Sequence, residues 1–288
     1  MNWEKLLTID RKIIFVIIGI VIAIPIIFPF GLPTHVTNRT ERLFDAVEAT
    51  DRETQAVMIS TDYTPQTEPE LAPMMVSLLR HCFQQKIRVF VVSLYIEAAG
   101  LADMAIKQTI DEFNERATSR QDSVIYGRDV VFLGWQPPPI IPILGMGKDI
   151  LEIYPVDFYQ NKTAELPAMK GIQNYDDISI LVALSSGDSP KWFVQFAQTR
   201  FGVKVGAGVT AVSVADFYPY LESGQFSGLL GGMKGAAEYE ELVATRLGVP
   251  GRRRGTEGMS SQSAAHLAIM VFVIIGNIGY FATKRRRG

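Results

Sequence analysis

Six polar residues stand where a sheet protein would present chemistry. Asp62, Glu97, Ser185, Ser186, Asp188 and Asp216 each follow a short apolar run, and open α/β sheets bind ligands beyond the carboxyl ends of their strands. Ser185-Ser186-Gly187-Asp188 reads as a turn offering backbone N–H groups and a carboxylate, which suits a small polar solute. The same residue types also close ordinary turns with their own hydrogen bonds. Other chemistries have less to work with. His35, His81 and His266 are far apart, no two at metal-ligand spacing and none at a strand end where a Ser–His–Asp relay would need it. Gly206, Gly208 and Ala211 fit the dinucleotide pattern, but β-branched residues run on past them. Asp216 follows too soon to be a ribose-binding acid about 20 residues on. Gly147-Lys148-Asp149 lacks both the opening glycine and the hydroxyl residue of a phosphate loop. No metal and no cofactor is expected. Paired carboxylates leave little trace in a sequence, so acid–base catalysis stays open.

The elements that would position these residues alternate. Residues 56–61, 87–94, 130–133, 178–184 and 203–214 are apolar and β-rich, as strands covered on both faces are. Between them, Leu71, Met74, Met75, Leu78, Leu79 and Cys82 fall on one helical face, as do Ile106, Ile110, Phe113 and Ala117. Thr67 and Glu70 have capping-box spacing before the first of these helices. Leu43, Phe44 and Val47 mark a short amphipathic helix, and 191–201 a further one. Alternation of this kind predicts an α/β domain with a mostly parallel, doubly wound, Rossmann-like sheet. His81 reads as a helix-flank residue and Cys82 as a small core hydrophobe. Between the third and fourth strands, Trp135 to Gly147 holds Pro137, Pro138, Pro139 and Pro142 among aliphatic residues. Such a segment cannot be a central strand or an unbroken helix. It predicts an extended apolar loop, packed on the domain or turned toward a membrane or partner, with Trp135 at the interface.

In the glycine-rich stretch that follows, Gly224, Gly228, Gly232 and Ala236 repeat every four residues. On a helix they would form a stripe nearly free of side chains, where another backbone can approach. That makes them a candidate self-association or partner face, with intradomain packing or a flexible loop as the alternatives. Tyr218-Pro219-Tyr220-Leu221, Gly224-Gln225, Gly228-Leu229-Leu230-Gly231-Gly232 and Lys234-Gly235-Ala236-Ala237-Glu238-Tyr239-Glu240, followed by a C-terminal apolar span, resemble the tail of an uncharacterised family of bacterial membrane-anchored proteins. The resemblance implies anchoring and a bacterial envelope setting. It implies no activity, cofactor or catalytic residue.

Both ends of the chain are apolar. Residues 264–283 run for 20 residues, about 30 Å of helix, which matches a bilayer core. Residues 13–31 form a second run, longer than a signal peptide's apolar core and without a small-x-small cleavage site. The chain therefore parses as a basic tail (1–12), a first span (13–31), an α/β domain (32–249), a basic linker (250–263), a second span (264–283) and a basic tail (284–288). Two crossings place both tails on one side. Lys5, Arg11, Lys12, Lys284, Arg285, Arg286 and Arg287 outnumber Arg39, Arg42, Arg252, Arg253 and Arg254 on the domain side, so the tails are expected in the cytoplasm and the domain outside it. Arg252, Arg253 and Arg254 would lie at headgroups or in a solvated linker, and the last four basic residues at headgroups. A net charge of −2 excludes the broad basic field of a nucleic-acid binder, and a single cysteine excludes an internal disulfide.

Three functions follow, in this order. The first is a non-enzymatic envelope scaffold or assembly component, oligomeric through the glycine face, with the bilayer and itself or another membrane protein as partners. The second is a tethered small-molecule binding or sensing domain, with its site at the strand ends. The third is a carboxylate- or nucleotide-dependent enzyme.

Overall fold

The computed structural model describes residues 10–28, 34–119 and 122–287, with side chains as far as 281. The first nine residues, Pro29 to Pro33 and the side chains of Lys284 to Arg287 lie outside that description, and with them parts of the expected tails and first span. The chain divides into two compact units, residues 34–255 and the two terminal segments, 1–33 with 256–288.

The α/β domain opens with α2 (Asn38–Glu48), after the terminal helix α1 (Arg11–Ile27). It continues β1 (Ala56–Asp62), α3 (Glu68–Gln84), β2 (Arg88–Ser93), α4 (Ile96–Asn114) and β3 (Val130–Trp135). Two short helices follow, α5 (Ile140–Gly145) and α6 (Ile150–Ile153), then β4 (Ile178–Ser185). Next comes α7 (Ser189–Trp192), which runs through a π-helical turn (Phe193–Gln198) into α8 (Thr199–Phe201). The domain ends with β5 (Val205–Val209), α9 (Tyr218–Glu222), β6 (Phe226–Gly231) and α10 (Gly232–Leu247). The six strands form one all-parallel sheet in the order β3-β2-β1-β4-β5-β6. The order reverses between β1 and β4, so their carboxyl ends flank the natural crevice of such a sheet.

Alternate residues of each strand enter two cores. Val57 and Ile59 of β1 pack with α2, α3, α4 and α10 on one face. Ala56 and Met58 pack with the shorter helices on the other. Cys82 belongs to the first core, as expected, but His81 does not flank its helix. It is fully buried, stacked on Phe44 at 4.2 Å, with Nδ1 2.8 Å from the Tyr239 hydroxyl and Nε2 2.8 Å from a Glu48 carboxylate oxygen. Thr67 does not form the expected capping box. Its backbone is αR, and its hydroxyl donates to the Thr64 carbonyl.

The glycine stretch is not one helix. Gly224 ends a turn at φ +76°, Gly228 lies inside β6, and only from Gly232 does a helix run on to Ala236. The four-residue repeat is broken because Phe226, Leu229 and Leu230 bury on the sheet, and strand burial overrides the helical spacing. The close approach the glycines permit is internal. A methyl at Gly228 would meet the Leu43 amide nitrogen and, at 2.7 Å, the Arg39 carbonyl, because α2 lies directly on β6. Gly206 and Gly208 sit within β5 against Leu43, Leu184 and Met74, so they form no phosphate loop.

The residues after the glycines join the domain's two chain ends to α10. The carboxylate of Glu238, fully buried, accepts from the Thr37 amide at 3.1 Å and from the Thr37 and Thr40 hydroxyls, the latter at 2.6 Å. Glu240 accepts from the Gly255 amide at 2.8 Å, and Arg253 pairs with Glu241 at 2.7 Å. The expected polar linker 250–263 is therefore helical from Arg254 onward, as the start of α11 (Arg254–Arg287). Among the described residues this helix alone is long and apolar enough to cross a membrane, over Arg254–Phe281. The N-terminal helix α1 has 17 residues, with Pro25 inside its last turn.

Gly228→Ala is expected to lower the stability of the full-length protein by about 1–3 kcal/mol, as overpacking does. Gly187→Ala, whose added carbon would lie 3.7 Å from the Tyr95 hydroxyl, is expected to be close to neutral. Denaturant unfolding in detergent measures both. A Gly228→Ala protein of unchanged stability but smaller assembly size would restore the glycine face as an outer surface.

Candidate functional site at the carboxyl edge of the sheet

Asp62 ends β1 and is completely buried. Its carboxylate accepts three hydrogen bonds at 2.7 Å, from the Ser60 hydroxyl, the Ser189 hydroxyl and the Leu94 amide. One side chain thereby joins β1, the exit of β2 and the start of α7. The Asp62 carbonyl accepts from the Ser186 amide at 3.2 Å and the Ser185 hydroxyl at 3.3 Å, and Ser185 in turn accepts from the Gly187 amide at 3.0 Å. The Ser-Ser-Gly-Asp turn is thus closed on β1. Burial pushes the Asp62 pKa up to about 6 from 3.8, against its three hydrogen bonds, which pull it down. Tyr154 is buried close enough to feel the Asp62 charge, which adds to burial in raising its pKa, and its hydroxyl meets no hydrogen-bond partner among the described residues.

The remaining expected residues do not join this cluster. Asp188 is exposed and pairs with Lys191 at 2.7 Å. That hydrogen bond raises the lysine's pKa, with a smaller contribution from Asp216. Asp216 is exposed on the turn before α9, and Glu97 is exposed on the first turn of α4. The edge therefore encloses Asp62 and Ser185 in a polar knot that half-buried Ser186 joins through its amide, and leaves three acids in solvent.

Next to the knot is a groove that the polar residues did not point to. Pro138, Pro139, Ile140, Ile143, Trp192 and Phe196 line a cavity of about 270 Å³. The proline-rich segment forms one wall. After the cis Pro137–Pro138 bond it is the helix α5 rather than a fully extended loop, because Pro142 falls in the first turn, where a missing amide costs nothing. The Tyr175 hydroxyl fixes that wall by donating to the Ile143 carbonyl at 2.9 Å. The other wall shares α7 with the knot, since Ser189 holds Asp62 and Trp192, three residues on, lines the groove. The Tyr95 ring lies 6.4 Å from that of Trp192. Trp135, expected at a membrane interface, is half-buried, and its indole donates to the Leu94 carbonyl at 3.1 Å. The one sequence signal for the groove was the apolar proline segment itself. Ser189, Trp192 and Phe196 carried no signal that set them apart from ordinary helix residues.

No family model matches the chain, and no curated protein or solved structure matches it.

Asp62 binds its proton more tightly folded than unfolded, so the cost of burying its charge is absent below about pH 4 and complete above about pH 6. Asp62→Asn removes that cost. Relative to the native chain, the variant is expected to gain up to about 3 kcal/mol between pH 4 and pH 7, whatever offset the amide introduces at pH 4. His81 titrates in both proteins and drops out of the difference. Urea unfolding at the two pH values measures it, and a constant difference would mean that the carboxylate is solvated.

Proposed function

We propose that the chain is a membrane-tethered binding domain whose ligand sits at the carboxyl edge of a Rossmann-like, doubly wound sheet. The observation that carries this is the groove between α5 and α7. Helix α5 follows the outermost strand β3 and α7 follows β4, one of the two strands at the reversal of order, so the groove is built from segments that leave the carboxyl ends of the sheet. The acid expected to meet a ligand, Asp62, is enclosed and saturated with donors. Glu97, Asp188 and Asp216 stand apart in solvent, and the concave surface the edge offers a ligand is apolar. Recognition, and not proton transfer, is the function that suits it.

The tether is α11 and, in this proposal, α1 as a second span, with both basic tails in the cytoplasm and the domain outside it in a bacterial envelope. Arg252 and Arg254 are then placed near headgroups, while Arg253 is held by Glu241. The envelope setting rests on the resemblance of the glycine-rich tail. A second reading, the assembly scaffold, draws on Ile96, Ile141 and Val212. These large apolar residues are 59, 52 and 93% exposed in the segments that leave β2, β3 and β5. It no longer draws on Gly228 and Gly232, which pack inside the domain.

Two experiments test this. Reporter fusions at the two termini are expected to report the same, cytoplasmic side, and opposite sides would remove α1 as a span. For the site, the probe is benzene, which enters dry apolar cavities. Added to full-length protein in lipid nanodiscs, with isoleucine methyl groups labelled for NMR, it is expected to give saturable shifts at Ile140 and Ile143. Shifts that grow linearly at all isoleucines alike would remove the site.

A further inference from the structure

We infer that the groove between α5 and α7 is a binding site for the alkyl chain of a free single-chain amphiphile, of the fatty-acid type. This rests on the edge being a ligand site and goes further by naming the ligand's chemical class. Three observations converge on it. First, the six lining side chains are apolar except for the Trp192 indole N–H, so most of a polar group carried into the groove would go unpaired. A hydroxylated, charged or peptide-backbone ligand would lose most of its hydration there without replacement. Second, the space is about 270 Å³, just under the range of about 300–1,000 Å³ that encloses a drug-sized molecule. A flexible chain of a few methylenes fits that volume, and a helix, about 10 Å across with its side chains, does not. Third, a polar group lies beside Trp192: the Tyr95 ring is 6.4 Å from the indole, and its phenol is close enough to Asp188 for that charge to help raise its pKa, after burial and Asp62. A ligand that is apolar at one end and polar at the other matches that division.

The groove's construction suits such a ligand. Proline at two lining positions fixes the backbone before any ligand arrives, so little chain entropy is lost on binding. Ile143 is fully buried and held through its own carbonyl by Tyr175, which makes it the floor, whereas Ile140 is half-buried at the first position of α5 and forms the rim. Trp192 reports occupancy directly, because its indole lines the groove.

The test is a chain-length series. Full-length protein is held in amphipol without lipid and titrated with linear alkanoates from six to twelve carbons, with Trp192 fluorescence and the Ile140 and Ile143 methyl shifts as readouts. Trp3 and Trp135 are replaced by Phe so that one indole remains. Affinity is expected to rise about fourfold per added methylene, the increment of transferring one CH₂ from water, and then to level off once the groove is full. Ile140→Asp is expected to weaken binding at least about tenfold. An acid at the first position of a helix is favourable, so this variant keeps its fold. Ile141→Asp, an exposed position outside the groove, is expected to bind as the native chain does. Affinity independent of chain length, or equal in Ile140→Asp and the native protein, would overturn the assignment. If benzene still gave saturable shifts, the groove would stand as a site and only the alkyl class would fall. A parallel sample in nanodiscs without alkanoate separates the sources. Methyl shifts already at the bound position would mean that bilayer lipid fills the groove, which overturns a free amphiphile as the occupant.

Discussion

The domain depends on a carboxylate that has been taken out of water. Asp62 stands at the reversal of strand order, where the two halves of the sheet meet and a crevice would otherwise open. An isolated charge there would be intolerable, and three short hydrogen bonds from three different segments make it tolerable. The same bonds fix where α7 begins and where β2 hands over to α4. Trp192, and with it one wall of the groove, is thereby positioned one helical turn from Ser189, which holds the buried acid. The polar knot and the apolar groove are two consequences of one arrangement. The first encloses the acid at the reversal, and the second leaves an apolar recess beside it.

A second constraint fixes the opposite core. α2 can lie on β6 only because Gly228 has no side chain, and α10 then holds both chain ends of the domain. Glu238 caps the start of α2 through Thr37 and Thr40, Tyr239 reaches the enclosed His81, and Glu240 takes the Gly255 amide. Consecutive residues thus serve the entry of the chain, its core and its exit. The stretch that stood out in the sequence is distinctive because three packing demands fall on it together.

Much of the architecture was legible because buried parallel strands and amphipathic helices have different periods. Five of the six strands, and α2, α3, α4 and the 191–201 helix, show in the pattern of apolar residues alone. β6 did not, since Gly228 and Gly231 thin its apolar run and the glycines repeat at a helical interval. The helical start of α11 was also hidden. Gly255 and Ser260 look like linker residues until Glu240 and the Thr256 carbonyl are seen to satisfy their polar groups. Of the six expected site residues, sequence placed all at strand exits but could not tell sealed from exposed. Burial of Asp62 depends on Ser189 and Leu94, which are remote from it in the chain. The groove was still less visible, because Trp192 and Phe196 are spaced as any helix core would be.

The most direct measurement is a carbon-13 NMR titration of the Asp62 carboxyl in the full-length protein, with its signal identified by its loss in Asp62→Asn. An enclosed, triply hydrogen-bonded carboxylate predicts a midpoint near pH 6. A midpoint near the ordinary value of about 4 would contradict the account. It would mean that water reaches the strand ends, and that the acid at the reversal is available to a ligand after all.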